Sequence, residues 1–423
     1  MSERELPMDA LQRALSALPA TALAPERARA LQKFQDSGFP EVRQEDWKYT
    51  DLSPVIEISR NWLEAGAPVH RPAAATDSPA DTIDAHWLVI ENGQISSHRL
   101  QAFEQQGVSV ARLSESGLSE SADSPLADLN TALLHDGLKI TVTGEAQKPI
   151  GILVSDGANS SVGVSQARVD IEFSEGASAS IIEYHMSSGS GSHFANSIVT
   201  LKLASNAVAR YVRVQDRARH HCQTGRMTVS LQQNATLEHA AFDLGGQLVR
   251  NDLFIDIAGA GASATFNGLY IAGDGQHIDN HTRVDHSVGP AESRQEYRGI
   301  LKGKARCVWN GKAIVHEGAD GTDAEQANHN LLLSRKAEID AKPELEIYTD
   351  DVKCSHGTTV GQLDEAALFY LRARGLDKQH ATRVMTHAFA AEIIKQTPIE
   401  ILRDVIAGKV EARLGKLSET ESE

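Results

Sequence analysis

Cysteine is scarce: Cys222, Cys307 and Cys354 are the only three in 423 residues, and they lie far apart. That excludes a disulfide framework and a four-cysteine zinc site within one chain. Aromatic residues are equally thin at 5%, so small side chains must do much of the core packing. No apolar run approaches the roughly 18 residues a membrane span requires, and the opening MSERELPMDA has no apolar stretch of the secretory kind. Cations are outnumbered: 41 Lys plus Arg against 57 Asp plus Glu give a net charge of −16, which argues against a general nucleic-acid binder. The expectation is a soluble protein of a reducing cytosol. The chain also lacks a GxxxxGK[ST] phosphate loop, a GxSxG elbow, an HExxH helix and a CxxC pair. Nucleotide hydrolysis on a phosphate loop is therefore not expected of it.

The residues that are present divide the chain in three. Over 1–136 the texture is mixed. Leu11, Leu15 and Leu18 stand at helical spacing in 9–18, and 25–35 reads as a second helix. An Ala/Pro stretch over 66–80 and a Ser-rich run over 114–124 read as loops. HWLVIE over 86–91 reads as a strand closed by the tight-turn pair Asn92-Gly93. Over 361–423 the period is helical again, with an amphipathic helix over 363–374 stopped by Gly375 and a second capped by Asp377 and running through Lys395. Val384, Ala388 and Ala391 share one face of that second helix. A third helix over 399–407 follows Pro398, and the tail is acidic.

Between them, 137–360 is a succession of short β-type runs. A loose repeat runs through it: GASASIIEY, NAVARYVRV, NATLEHAAF and GASATFNGLY, whose alanines Ala177, Ala207, Ala235 and Ala262 are spaced 30, 28 and 27 residues apart. Weaker copies start at Lys304 and Lys336. Each unit alternates as a strand with one buried face does, yet is too short to bury that face alone. Stacking the units solves the problem, which predicts a mainly β fold with a β-solenoid core. The rival β-sandwich would show shorter turn-to-turn spacing and more core aromatics.

Few constellations carry chemistry. Gly259 to Ala264 matches the dinucleotide fingerprint GxGxxA, with Asp279 lying 20 residues beyond Gly259. The motif must open a helix, and Thr265-Phe266-Asn267-Gly268 continues as strand and turn, so a solenoid corner is the better reading. In the polar cluster from His277 to His286, an extended chain puts His277, Asp279, His281, Arg283 and Asp285 on one face. That set could hold a metal, as in a stand-alone sensor, or could be a solvated face where Arg283 neutralises the carboxylates. The carboxylate pair Glu344 and Glu346 would suit a β-helix enzyme acting on polysaccharide only with a substrate cleft. Asp350, Cys354 and His356 project to one side if 350–357 is extended. A thiolate and an imidazole two residues apart suit iron or another thiophilic metal, with coordination left incomplete; the bland reading is a buried thiol beside a hydrogen-bonded histidine.

The block KPELEIYTDDVKCSHGTTVGQLDEAALFYLRARG, from Lys342 to Gly375, resembles the SufD branch of the SufB/SufD family, scaffold proteins of the SUF iron–sulfur cluster assembly system. EDWKYTDL (from Glu45), DNHTRVDHS (from Asp279) and ANHNLLLS (from Ala327) are similar to the same family. The SufB branch is the alternative, but its chains are usually longer and carry a HEATTS-like segment where this one has KCSHGTTVG. The resemblance implies a non-enzymatic scaffold with a right-handed parallel β-helix core, flanked by an N-terminal helical region and a C-terminal helical domain. It implies a SufB-like partner at the core, or a homodimer in its absence. It also implies a SufC-like ABC ATPase on the C-terminal helices over 362–407, so that this chain binds no nucleotide itself. His356 is implied to help form a transient iron–sulfur cluster, or hold iron, shared with that partner. Cys354 is a second candidate, and Cys222 and Cys307 are expected to be structural.

Overall fold

A computed structural model describes residues 5–68, 78–119, 124–157 and 162–419. Two sheets, one of ten strands and one of nine, face each other. From Leu138–Val142 onward successive strands alternate between them, and each pairs in parallel with the strand two further along the chain. One coil is thus two strands, one per sheet. The fold is a parallel β-solenoid, mainly β as the repeat predicted.

The alanine spacing is the coil spacing. Ser178 aligns with Val208, Val208 with Thr236 and Thr236 with Ser263, so the alanines one residue earlier stack in a column. All four are at most 1% exposed. Each follows a residue with left-handed backbone: Gly176, Asn206, Asn234 and Gly261 have φ of 69°, 62°, 55° and 75°. Glycine and asparagine tolerate that geometry best, which is why only those two types stand at this corner. The asparagines also bond between coils, Asn234 Nδ2 donating to Asn206 Oδ1 at 3.2 Å. Gly261 therefore turns a corner into the strand Ser263–Ala272, and the GxGxxA match opens no helix. The copies at Lys304 and Lys336 belong to the other sheet, where Arg306–Val315 pairs with Glu338–Ile347. The single repeat read in the sequence is two interleaved series.

One half of the interior is apolar. Val199, Leu201, Val229, Leu231, Ile255 and Ile257 of the nine-stranded sheet share a core with Ala179, Ala209, Leu237 and Ala264 of the other. Large branched residues meeting alanines fill most of the gap between the sheets, with Phe173, Tyr211 and Phe266 the few aromatics among them. The other half is polar and closed. His185 Nε2 lies 2.8 Å from Glu183, the Tyr211 hydroxyl donates to Glu183 at 2.7 Å, and Arg213 pairs with Asp243 at 3.0 Å. Asn251 joins this network by donating to Asp243 at 3.1 Å and to Asn280 at 2.9 Å. Buried polar groups linked in this way define which coil faces which.

The strand His86–Glu91 opens the ten-stranded sheet by pairing in parallel with Ile150–Asp156. Its turn is as expected, with Asn92 and Gly93 at φ 45° and 77°, and it leads into the antiparallel pair with Gln94–Ile95. Val108–Arg112 closes the first edge of the nine-stranded sheet, also antiparallel, on Leu138–Val142. The expected N-terminal helices are Met8–Ser16 and Ala24–Ser37. Ser53–Glu64 and Pro125–Leu133 join them, and all four pack with Phe194, Cys222 and Leu248 on the outer face of the nine-stranded sheet. Of the two expected loops, 69–77 and 120–123 lie outside the described residues, while Pro79–Thr82 and Leu113–Ser116 form short helical turns.

Three helices end the chain: Glu365–Ala373, Lys378–Lys395 and Arg403–Glu419. Asp364 and Asp377 cap the first two, accepting from Ala366 N and His380 N, each at 2.8 Å. The third is longer than expected. Ile393, Ile394, Ile406, Val410 and Leu414 pack on Val212, Phe242, Leu269 and Ile300, the outer face of the ten-stranded sheet. Val384 and Ala388 lie on the exposed side of the second helix, so the face they share is not the packing face. No helix among the described residues is long and apolar enough to cross a membrane.

Candidate functional site

The solenoid ends in two edge strands, each of ten residues. Glu338–Ile347 is the last of the nine-stranded sheet and Val352–Gly361 the last of the ten-stranded sheet. Elsewhere the inward column of each strand is covered by the next coil. Here no further coil follows among the described residues.

His356 stands in that inward column. It aligns with Gln326, Cys354 with Ala324 and Thr358 with Asn328. Those three partners are 3%, 2% and 0% exposed, whereas His356 is exposed and Cys354 half-buried. Across the gap Ile339, Ala341 and Leu345 continue the column of Cys307, Trp309 and Ala313 on the facing sheet. The imidazole and the thiol therefore point where a further coil would lie. Asp350 does not join them, because it sits in the bend before the strand. Among the described residues His356 makes no hydrogen bond or ion pair, so its ring is free for another ligand. Burial pushes the Cys354 thiol up; a bond from the Ala324 backbone lowers it in part, and Asp323 raises it further. A thiol so placed needs a metal or a neighbouring cation to become a thiolate.

Both edges are apolar in part. Ile347, Tyr348 and Val360 are 41%, 60% and 54% exposed, and a row of backbone donors and acceptors runs beside them. Pro343 sits in the edge strand Glu338–Ile347, a position an edge tolerates and a central strand does not.

The other candidates resolve as structure. In the His277–His286 strand, Asp279 takes the Arg250 guanidinium at 2.6 Å and the Thr50 hydroxyl at 2.5 Å, while His281 Nε2 lies 3.1 Å away. Arg283 holds Asp285 at 2.6 Å and Arg250 of the neighbouring coil holds Asp279, so the carboxylates are neutralised, but the face is not the solvated one expected: Asp279 is 1% exposed. Among the described residues, no group of three or more His, Cys, Asp or Glu side chains is arranged to hold a metal ion. Glu344 and Glu346 are taken by Lys342 at 3.0 Å and Lys312 at 2.7 Å, so neither is an unpaired carboxylate. Cys222 and Cys307 are fully buried; burial lifts the first thiol to about 12 and the second further. Sequence reasoning missed the partners that hold this face, Trp47, Thr50 and Arg250. The Glu45–Leu52 segment was visible as a motif, but its contact with a strand more than 200 residues away was not.

On the C-terminal helices, Glu365–Ala373 buries no residue, and Phe369 and Tyr370 are 73% and 58% exposed. Beside it lies a cleft of about 440 Å³ in which leucines such as Leu333, Leu363 and Leu368 are interspersed with polar residues such as Lys302, Arg335 and Lys378. Exposed apolar surface of this extent marks an interaction face.

The chain is thus a solenoid with helices on both flanks and, among the described residues, an uncovered last coil. Two family models divide the chain: the SufBD protein N-terminal region matches 9–152, and the SUF system FeS cluster assembly SufBD core domain matches 154–389. The chain belongs to the SufBD family, and it is an iron–sulfur cluster assembly protein of the SufD type. It is 31% identical over 404 residues to the iron–sulfur cluster assembly protein SufD of Escherichia coli (strain K12), covering 93% of this chain and 94% of that one. An iron–sulfur cluster assembly SufBD family protein of Mycobacterium tuberculosis is 30% identical over 327 residues, 73% of this chain and 78% of the other. SufD of Bacillus subtilis (strain 168) is 32% identical over a shorter stretch of 145 residues, 34% and 33% of the two chains.

Proposed function

We propose that this chain is a non-enzymatic scaffold subunit, joined at its open coil by a SufB-like paralogue and served by a SufC-like ABC ATPase docked over 362–407. The observation that carries the reading is the pair of edge strands ending at one place, with His356 and Cys354 in the column between them. A homologous solenoid added there would continue both sheets and satisfy the unpaired backbone groups. It would also bring its own ligands, a cysteine and an acidic residue, to the imidazole. The nascent cluster is cargo. Ligands split between two chains can be drawn apart to release it, which a closed site within one chain would resist. Nucleotide chemistry belongs to the ATPase, whose dimerisation would strain the seam and shift it toward an open state. The exposed Phe369 and Tyr370 and the neighbouring cleft supply the docking face. A cytoplasmic setting keeps Cys354 reduced.

The test is His356→Ala in cells that depend on this pathway. Cluster assembly should be lost while a tagged chain still brings down both partners in fixed stoichiometry. Unaltered assembly overturns the role of His356; failure of the wild-type chain to bring down either partner overturns the scaffold.

A further inference from the structure

Three of the segments that carry the family resemblance meet away from the interior, on the outer face of the nine-stranded sheet. Glu45, Asp46 and Trp47 come from the first, His281, Thr282 and Arg283 from the second, and Lys342 and Glu344 from the third. Together they wall a groove of about 490 Å³ whose floor includes Arg226 and Phe254. That volume is in the range of small-molecule sites.

The cations of this groove are satisfied, with one exception. Arg250 holds Asp252 and Asp279 at 2.8 and 2.6 Å and lies 4.5 Å from the centre of the Trp47 ring. Arg283 is held by Asp285, Lys312 by Glu346, and Lys342 by Glu45 and Glu344. Arg226 has no hydrogen bond or ion pair with any described residue. Its guanidinium lies 4.2 Å from the centre of the Phe254 ring, and its Nε is buried without an acceptor. A buried charged donor with no acceptor is costly, more so than a neutral one. Stacking on Phe254 leaves the N–H edge of the fork open, and that edge matches the paired oxygens of a carboxylate or phosphate. The nearest carboxylate along the strand pairing, Asp252, is already held by Arg250.

We propose that this groove binds a small molecule through an oxyanion, carboxylate or phosphate, seated in the Arg226 fork. The site does not depend on the scaffold reading: it lies on the outside of the sheet and its fork on a central strand, although Lys342 and Glu344 of its wall come from the edge strand.

The experiment titrates the full chain separately with inorganic phosphate and with malonate, at constant ionic strength in chloride. Calorimetry gives the stoichiometry, and fluorescence reports on Trp47 in the groove wall. One saturable site per chain is expected for at least one probe. Arg226→Met should weaken it by roughly tenfold or more, and Arg226→Lys, which keeps the charge and loses the fork, by an intermediate factor. Tighter phosphate binding points to phosphate esters and tighter malonate binding to carboxylates; either supports the site. Absence of saturable binding above chloride overturns it, as does unchanged affinity in Arg226→Met. If that variant fails to fold, Arg226→Lys carries the comparison, and affinity equal to wild type in it overturns the fork.

Discussion

The two ends of the solenoid are finished differently. At the first coil both sheets close with short antiparallel strands, Gln94–Ile95 on one and Val108–Arg112 on the other. An antiparallel strand breaks the parallel series, so no further coil can be added there in register. At the last coil both sheets stop on full-length parallel strands, with no capping strand among the described residues. Stacked repeats need terminal caps to stay soluble, and the proposed partner would supply the one this end lacks among the described residues. The imidazoles differ in the same way. His221, His239 and His286 face the closed interior and are at most 4% exposed, whereas His356, in the equivalent inward column, is open.

That contrast can be broken by acid, with the largest expected effect. Burial holds His221 down to about 2, His239 to about 3 and His286 to about 4, against an ordinary value of 6.5. Below 6.5 the unfolded chain binds protons that the folded chain refuses, so stability falls as pH drops toward those values. Each histidine contributes about 1.4 kcal/mol per pH unit in that window, about 4 kcal/mol per unit for the three. Urea unfolding at pH 7, 6 and 5 should show about half of this slope over the first unit and most of it over the second, and His239→Gln should flatten it by about a third. Next in size is the core of the capped end. Leu88→Ala, at a fully buried position, should cost about 2–5 kcal/mol, while Val360→Ala at the open end should change unfolding by less than about 0.5 kcal/mol.

The open end should respond to charge instead. Ile347→Glu with Val360→Glu places carboxylates in the seam, and co-purified SufB-like partner should fall by roughly tenfold or more. The thermal midpoint of the chain alone should move by only a few degrees, since both positions are exposed. The smallest test is of the thiols. One of the three cysteines, Cys354, should react with a thiol reagent in the native chain and all three after unfolding, and partner binding should protect Cys354.

Much of this architecture was legible. The alanines one residue past four successive corners gave the coil length, because a left-handed residue followed by a buried alanine recurs at each of them. Asn92-Gly93 gave the hairpin, and Asp377 gave the start of its helix. Other features were hidden for physical reasons. Ser53–Glu64 places Val55, Ile56, Ser59, Trp62 and Leu63 on one face, but its β-branched residues have low helix propensity and packing overrides it. The buried face of Lys378–Lys395 was ambiguous because its four alanines fall on both the buried and the exposed side, Ala381 and Ala390 on one and Ala388 on the other. The candidate ligands His356 and Cys354 could be named from a strand period of two. Their position on a bare edge could not, since exposure depends on what the chain does not supply. The Arg226 groove was illegible for the opposite reason: its walls come from segments hundreds of residues apart.

The order of the coils along the chain has a further consequence. Synthesis delivers the N-terminus first, so the capped end leaves the ribosome early and each new coil pairs with one already folded. The bare strands emerge near the end of translation, when the rest of the solenoid has formed behind them. A nascent chain thus exposes its adhesive surface for the shortest time, and that surface meets its partner on a finished body.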